Sequence, residues 1–325
     1  MKTSLSRRAS MAALTLGALT AAIPAMAQSP FPSQPIKMIV PYPAGGATDA
    51  LGRMMAQKLG EAWSTSVVVE NKPGAGGTIG NNIVAKAPAD GHTILMTITA
   101  IIQQPSLMSL PYDPLKDFAP VVQVAKSPSM FAVPLSSPAN TLKEFITLVQ
   151  ANPGKYNYGT YGAGTSSHIQ GSLLNLQGKL DMVHVPFQGA APLVTNMVGG
   201  QLTSAFIDSA SARAHLKSFK PLAVTGTQRM AALPDVPTFK ELGFHSYEPL
   251  GWFGMLLPAN TPTAIVTKYS EEFNRILRMP DVVARIEGFG LGVGGGKPEE
   301  FAQVMKSDAQ VYATIIKDAG IKLSQ

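Results

Sequence analysis

The sequence predicts an α/β protein of two lobes, each a mainly parallel sheet flanked by helices. Three observations carry this reading. Short β-like runs alternate with helix-like stretches along the chain. No Gly/Ser linker divides it, so two lobes joined by extended crossings fit better than two separate beads. A length of 325 residues leaves room for two domains, and 45% hydrophobic against 14% charged residues is core-forming, not disordered, composition.

The first element is an address. Lys2, Arg7 and Arg8 precede an apolar run from Met11 to Ala25, and Ala25-Met26-Ala27 places small residues where a signal peptidase reads them. Residues 1–27 are therefore expected to be a signal peptide, with an apolar core too short to span a bilayer. The Arg7-Arg8 pair leaves the general and twin-arginine routes both open. Removing this segment leaves 23 of the 26 basic residues against 20 acids, so the charge falls from +6 to +3. Nucleic-acid binding loses its main support with it. The chain has no cysteine, which excludes disulfides, thiolate metal sites and a lipid anchor on a cysteine. The expectation is a soluble periplasmic protein.

The strand readings are Ile36–Val40, Val67–Glu70, Thr93–Thr97, Met130–Val133, Tyr156–Gly159, Met182–Pro186, Ser204–Ile207 and Pro221–Thr225. Helices are expected over Asp49–Gly60, Thr78–Ala87, Leu142–Ala151, Ser166–Gly178, Ala191–Gly199, Pro262–Arg278 and Pro298–Ala319. The last two carry Pro near the first turn, where its missing N–H costs little. Crossings between lobes fall near Gln123–Ser129 and Pro249–Met255. Residues 28–125 would then begin the first lobe, 126–250 form the second, and 251–325 return to the first.

Several strand-to-helix loops could carry chemistry. In Pro41–Asp49, Gly45 and Gly46 permit a tight turn, and Thr48 or Asp49 can cap the helix that follows. A helix N-terminus with free N–H groups suits a carboxylate or phosphate, though a plain βα turn would look alike. Asn71–Thr78 resembles a dinucleotide loop, but Ile79 stands where a third glycine belongs, and no Gly-Lys-Ser/Thr ending follows. Gly159–His168 offers hydroxyls and one imidazole without the Gly-x-Ser-x-Gly elbow of a hydrolase. Phe187–Ala191 opens another helix, and Asp208 follows a strand. Trp252 and Phe253 are read as core residues of the return crossing. The five histidines lack metal-ligand spacing, so no metal or cofactor is expected.

Taken in order, nine blocks resemble the solute-binding subunits of tripartite tricarboxylate transporters, the Bug or TctC family. They are Pro41–Asp49, Glu70–Gly77, Ala89–Thr93, Leu110–Pro114, Asp117–Val121, Gly162–His168, Val185–Gly189, Leu233–Thr238 and Trp252–Gly254. The resemblance runs from about Pro35 to Leu323. It implies a Venus-flytrap fold of the type II periplasmic kind, with ligand held between the lobes. It implies ligand contacts from Tyr42, Ala44, Gly45, Gly46, Thr48 and Asp49, and from Thr97, on the first lobe. On the second it implies Gly164, Thr165, Ser166 and His168, then Gln188, Gly189 and Ala190, and Asp208. After Thr97 the chain departs from the family pattern, with Gln104 before Pro105. Ile101 and Ile102 there either reach the cleft, which would suit a less polar acid, or pack beneath the loop, the preferred reading.

The resulting expectation is a non-catalytic, monomeric receptor for a small organic carboxylate: a di- or tricarboxylate, an acidic amino acid or an aromatic acid. Its partner would be the permease of a tripartite transporter. The alternatives are an exported hydrolase using Ser166 or Ser167 with His168 and Asp208, and a receptor serving a sensor protein.

Overall fold

The computed structural model describes residues 31–322 except 231 and 249. The expected signal peptide lies outside the described residues. A compact unit begins at Gln34.

It opens with β1 (Ile36–Val40), whose Ile36, Met38, Ile39 and Val40 are all buried, as in a strand covered on both faces. Helix α1 (Ala47–Trp63) buries Leu51, Met54, Met55 and Leu59 at helical spacing. Gly52 lets α1 approach the sheet, since a Cβ there would lie 3.1 Å from Val40 Cγ2. Then come β2 (Val67–Asn71), α2 (Thr78–Ala85), β3 (Thr93–Ile98) and the short α3 (Ala100–Gln103). Strand β4 (Phe118–Ser127) ends in this sheet, and β5 (Ser129–Pro134) starts the other one residue later. The second sheet is built with α4 (Leu142–Gln150), β6 (Tyr156–Thr160), α5 (Ser166–Gln177), β7 (Met182–Pro186), α6 (Ala190–Val198), β8 (Ala205–Asp208), α7 (Ser209–Ala212) and β9 (Phe219–Val224). Strand β10 (Gly251–Pro258) lies back in the first sheet, before α8 (Thr263–Leu277), α9 (Pro280–Gly288), β11 (Gly292–Gly295) and α10 (Pro298–Asp318).

The first sheet has the order β11-β4-β10-β3-β1-β2, and the second β7-β6-β8-β5-β9. The α/β, two-lobed architecture is the one expected, but the sheets are mixed and not mainly parallel. β1 runs parallel to β2 and β3, and β6 to β7 and β8. β10 is antiparallel to β3 and β4, and β5 to β8 and β9. The cause is topological. Strands followed by helices end where the lobes face each other, whereas β5 and β10 begin there on arriving from the opposite lobe. They must run against their neighbours. The two segments read as bare crossings are thus strands in the interior of a sheet.

The described residues between β9 and β10 form no long element, and aromatic packing seals them to the second lobe. Phe239 stacks on Tyr247 with centroids 4.0 Å apart and on Phe206 at 5.6 Å. Phe206 also meets Phe131 at 5.0 Å. Tyr247 donates its hydroxyl to Gln170 O at 3.0 Å. On the first lobe, Trp252 meets Phe301 of α10 edge-on at 5.1 Å, and its Nε1 donates to Asp308 Oδ2 at 3.0 Å. His168 of α5 stacks on His184 of β7 with centroids 4.3 Å apart, and His184 Nε2 lies 2.7 Å from Thr160 Oγ1. Burial pushes both imidazoles down to about 4, and for His184 the neighbouring His168 adds to it.

Two outcomes follow from this packing. A Cβ at Gly254 would lie 2.2 Å from Phe301 Cζ, so Gly254→Ala overpacks the first lobe and should lower urea-unfolding stability by about 1–3 kcal/mol. The histidine pair sets a pH dependence with a definite sign. Between its ordinary value of 6.5 and the native value of about 4, the unfolded chain binds more protons. Stability contributed by the neutral pair is whole above 6.5 and is lost as pH falls through that window. Urea midpoints measured from pH 7.5 to 5 should fall, and less steeply in His184→Gln.

Candidate functional site

A cavity of about 50 Å³ lies where the ends of the strands meet, lined from both lobes. Its first wall is the loop from β1 into α1. Gly46 is the N-cap of α1, in an extended conformation with no side-chain cap. Neither Thr48 nor Asp49 caps the helix. The first intrahelical bond runs from Ala50 N to Gly46 O at 3.0 Å, so the N–H groups of Ala47, Thr48 and Asp49 have no acceptor within the helix. Pro43, Gly46, Ala47 and Thr48 line the cavity with Tyr42.

The loop is held from behind. Asp49 Oδ2 accepts from Gly45 N and from Arg53 Nε, each at 3.0 Å, and Oδ1 accepts from Asn71 Nδ2 at 3.0 Å. Asn71 Nδ2 also donates to Tyr42 O at 2.9 Å. Burial works to raise the Asp49 carboxyl, but the hydrogen bonds from Arg53, Gly45 and Asn71 outweigh it and hold it below the usual range. Asp49 is therefore the organiser of the loop and does not line the cavity. Tyr42 donates its hydroxyl to Gly76 O at 3.0 Å, tying the second glycine loop to the first.

The opposite wall comes from three elements of the second lobe. Ser166 is the first residue of α5, whose N-cap Thr165 makes no side-chain cap. Gly189, at φ +123°, is the uncapped N-cap of α6, and Ala190 follows it. Asp208 and Ser211 close the wall, with Tyr161 between. Tyr161 donates to Asp208 Oδ2 and accepts from Asp208 N, both at 2.5 Å, while Ser211 N donates to Asp208 Oδ1 at 2.9 Å. Burial first, and the Asp208 charge second, push the Tyr161 phenol well up, so it stays a neutral donor. The floor is the crossing itself: Ser127 and Ser129, Thr99, and Gly251 to Phe253. Thr99 Oγ1 accepts from Trp252 N at 2.6 Å and pins β10 to the end of β3. Ser127 is 5% exposed, yet its Oγ, like that of Ser211, is buried without a hydrogen-bond partner.

Of the residues expected in the site, Tyr42, Gly46, Thr48, Ser166, Gly189, Ala190 and Asp208 line the one cavity. Ala44, Gly45 and Gln188 are exposed outside it. Thr97 is buried and donates to Asn81 Oδ1 at 3.1 Å. Thr165 donates to Gly162 O at 2.7 Å, and Gly164 N donates to His168 Nδ1 at 3.3 Å, so these three are committed within their own loop. Ile101 and Ile102 are buried in the core beneath the loop. Sequence reading passed over Ser127, Ser129, Tyr161 and Thr99, and took Trp252 and Phe253 as core. Locating the crossings was the available signal, since a residue flanking a crossing sits where the lobes face.

No Ser–His–Asp relay is assembled. Ser166 Oγ and the Gln103 amide exchange hydrogen bonds at 2.9 and 3.1 Å. Ser167 Oγ accepts from Tyr161 N at 3.0 Å, the His168 ring is stacked on His184, and Asp208 faces Tyr161. Among the described residues, no group of three His, Asp or Glu could hold a metal, and no helix is long and apolar enough to cross a membrane.

The rims of the two lobes touch through glycine. A Cβ on Gly76 would meet Ala163 O at 2.8 Å, one on Gly162 would meet Gly76 Cα at 3.3 Å, and one on Gly189 would meet Pro43 Cδ at 3.0 Å. The Gln103–Ser166 pair adds a polar bridge between the same lobes.

Comparison with known proteins places this geometry. A protein of Pseudomonas sp. strain P51, described as the UPF0065 protein in the tcbD-tcbE intergenic region, is 35% identical over 98% of this chain and 96% of its own. The solved structure of the periplasmic binding protein BugD superposes with a TM-score of 0.86 at 32% identity, covering 90% of this chain and 99% of that one. A structure of Rhodopseudomonas palustris Rpa4515 with adipate gives 0.86 at 29% identity, over 90% and 99%. The model of the tripartite tricarboxylate transporter family receptor, TctC, matches residues 51–321, and the chain belongs to that family.

Proposed function

We propose that this chain is a periplasmic receptor that captures a small organic carboxylate between its lobes and delivers it to the permease of a tripartite transporter. One observation carries the reading: α1, α5 and α6 all start at the same cavity, and none of the three has a side-chain cap. Each helix start presents N–H groups and about half a positive charge. Among the described residues no Lys or Arg lines the cavity, so an anion would be held by backbone dipoles. The hydroxyls of Ser127 and Ser211, buried without partners, are suited to the ligand or to waters that bridge to it. The adipate bound by the Rhodopseudomonas relative supports a carboxylate. The leader-like residues 1–27 support export, and the family supports the permease as partner.

Capture by one lobe followed by hinge closure fits a chain that crosses at Pro128 and again before Gly251. Closure excludes water, which strengthens each N–H···O bond to the carboxylate. The lobes would comprise residues 28–125 with 251–325, and 126–250, in a monomer. The separation of Ser166, His168 and Asp208 into different hydrogen bonds supports a binding protein without turnover.

Calorimetry of the purified protein against aliphatic and aromatic mono-, di-, tricarboxylates and amino acids should find at least one ligand of micromolar or tighter affinity. Silence from every acid would overturn the proposal. Against the best ligand, Ser127→Ala should weaken binding about three- to tenfold by removing one hydrogen bond. Gly46→Leu puts a side chain where Ala190 Cβ lies 3.8 Å from the site of a Cβ. It should cost tenfold or more, about 1.4 kcal/mol upward. Because Gly46 has an ordinary extended backbone, thermal unfolding of the ligand-free variant should stay close to that of the parent.

A further inference from the structure

The charge balance of the cavity constrains the far end of the ligand. Two carboxylates are similarly buried in this region, Asp49 at 5% and Asp208 at 7% exposure. They are treated differently. Asp49 is paired with a guanidinium, Arg53 Nη2 lying 3.0 Å from Oδ1. Asp208 receives only neutral donors, the Tyr161 hydroxyl on Oδ2 and the Ser211 N–H on Oδ1. Among the described residues no Lys, Arg or His forms an ion pair with it, and it is the one carboxylate lining the cavity, where no Lys, Arg or His faces it. A carboxylate offers about four acceptor positions, so two donors leave it under-satisfied. A buried charge without a counter-charge is expensive.

Granted the carboxylate reading, we infer that the ligand carries the missing cation: a monocarboxylate bearing an ammonium group, with its carboxylate at the start of α1 and its ammonium against Asp208. The pocket is then neutralised from both ends. Its apolar part, Ile98 with the rings of Trp252 and Phe253, covers the carbon skeleton, and a ring face beside an ammonium is favourable in its own right. A dicarboxylate would instead set its second negative charge against Asp208 in the same cavity. Like charges brought together at a buried carboxylate disfavour binding by roughly a hundredfold or more. The ligand class therefore differs from the adipate of the relative described above.

The test is calorimetry with matched series of three to six carbons. Each series holds the plain monocarboxylate, the amino acids with the ammonium at successive positions, and the diacid, titrated into the parent and into Asp208→Asn. The expected result is that the best amino acid of a given length binds the parent roughly a hundredfold more tightly than the diacid. In Asp208→Asn that ratio should shrink at least tenfold. A diacid that binds the parent as tightly as the amino acid overturns the inference and leaves the receptor reading standing, as does a ratio unchanged in a folded Asp208→Asn. Should Asp208→Asn not fold, the ratio in the parent decides alone. Failure of every carboxylate to bind the parent overturns both.

Discussion

The chain passes between its sheets twice, and the positions of those passages determine the rest of the molecule. A strand can leave one sheet only at the end that faces the other. β4 therefore ends at the cleft and β5 begins there, and β10 re-enters the first sheet at the same level. β1, β3, β6 and β8 share the direction of β4 with respect to the cleft. Their C-terminal ends, and the helix starts that follow, are delivered to one place from both sides. Nothing in the individual loops requires this convergence. It is imposed by the crossings.

That convergence brings three uncapped helix starts to one cavity. Helix starts that meet head-on across a narrow space leave their first N–H groups without acceptors. In a packed interior such orphan donors would be destabilising, whereas beside a cavity they stay accessible to solvent or to a ligand. The side chains beside them are assigned to support. Asp49, Arg53 and Asn71 brace the first loop, and Thr165 with Ser167 braces the loop before α5. On the proposed reading, recognition by dipoles would detect a carboxylate without regard to what carries it, and discrimination would be left to the side chains on the floor and far wall.

Much of this was legible in the residues. The β1 run Ile36–Val40 and the helix starts at Thr78, Leu142, Ser166 and Pro298 coincide with those read from pattern and punctuation. The misreadings have physical causes. β4 contains Pro120, Gln123 and Lys126, and β10 contains two glycines and a proline, so neither looks like an interior strand. Their hydrogen-bond partners are distant in sequence, and local propensity does not register them. β11 is Gly-Val-Gly-Gly, which no strand propensity favours. Around the cavity, the strand-to-helix loops were visible because glycine marks them. Ser127, Tyr161 and Thr99 were not, since only the folded crossing brings them together, and Asp49 looked like a ligand contact because its spacing from Gly45 is the same for either task.

The glycine contacts at the rim have a mechanical meaning. Gly76 against Gly162 brings backbone close to backbone at the rim, and Gly189 lets the second lobe approach the Pro43 ring. Small residues at the lips set how closely the two walls can approach: any larger side chain there would hold the helix starts apart, so the glycines fix the width of the space between them.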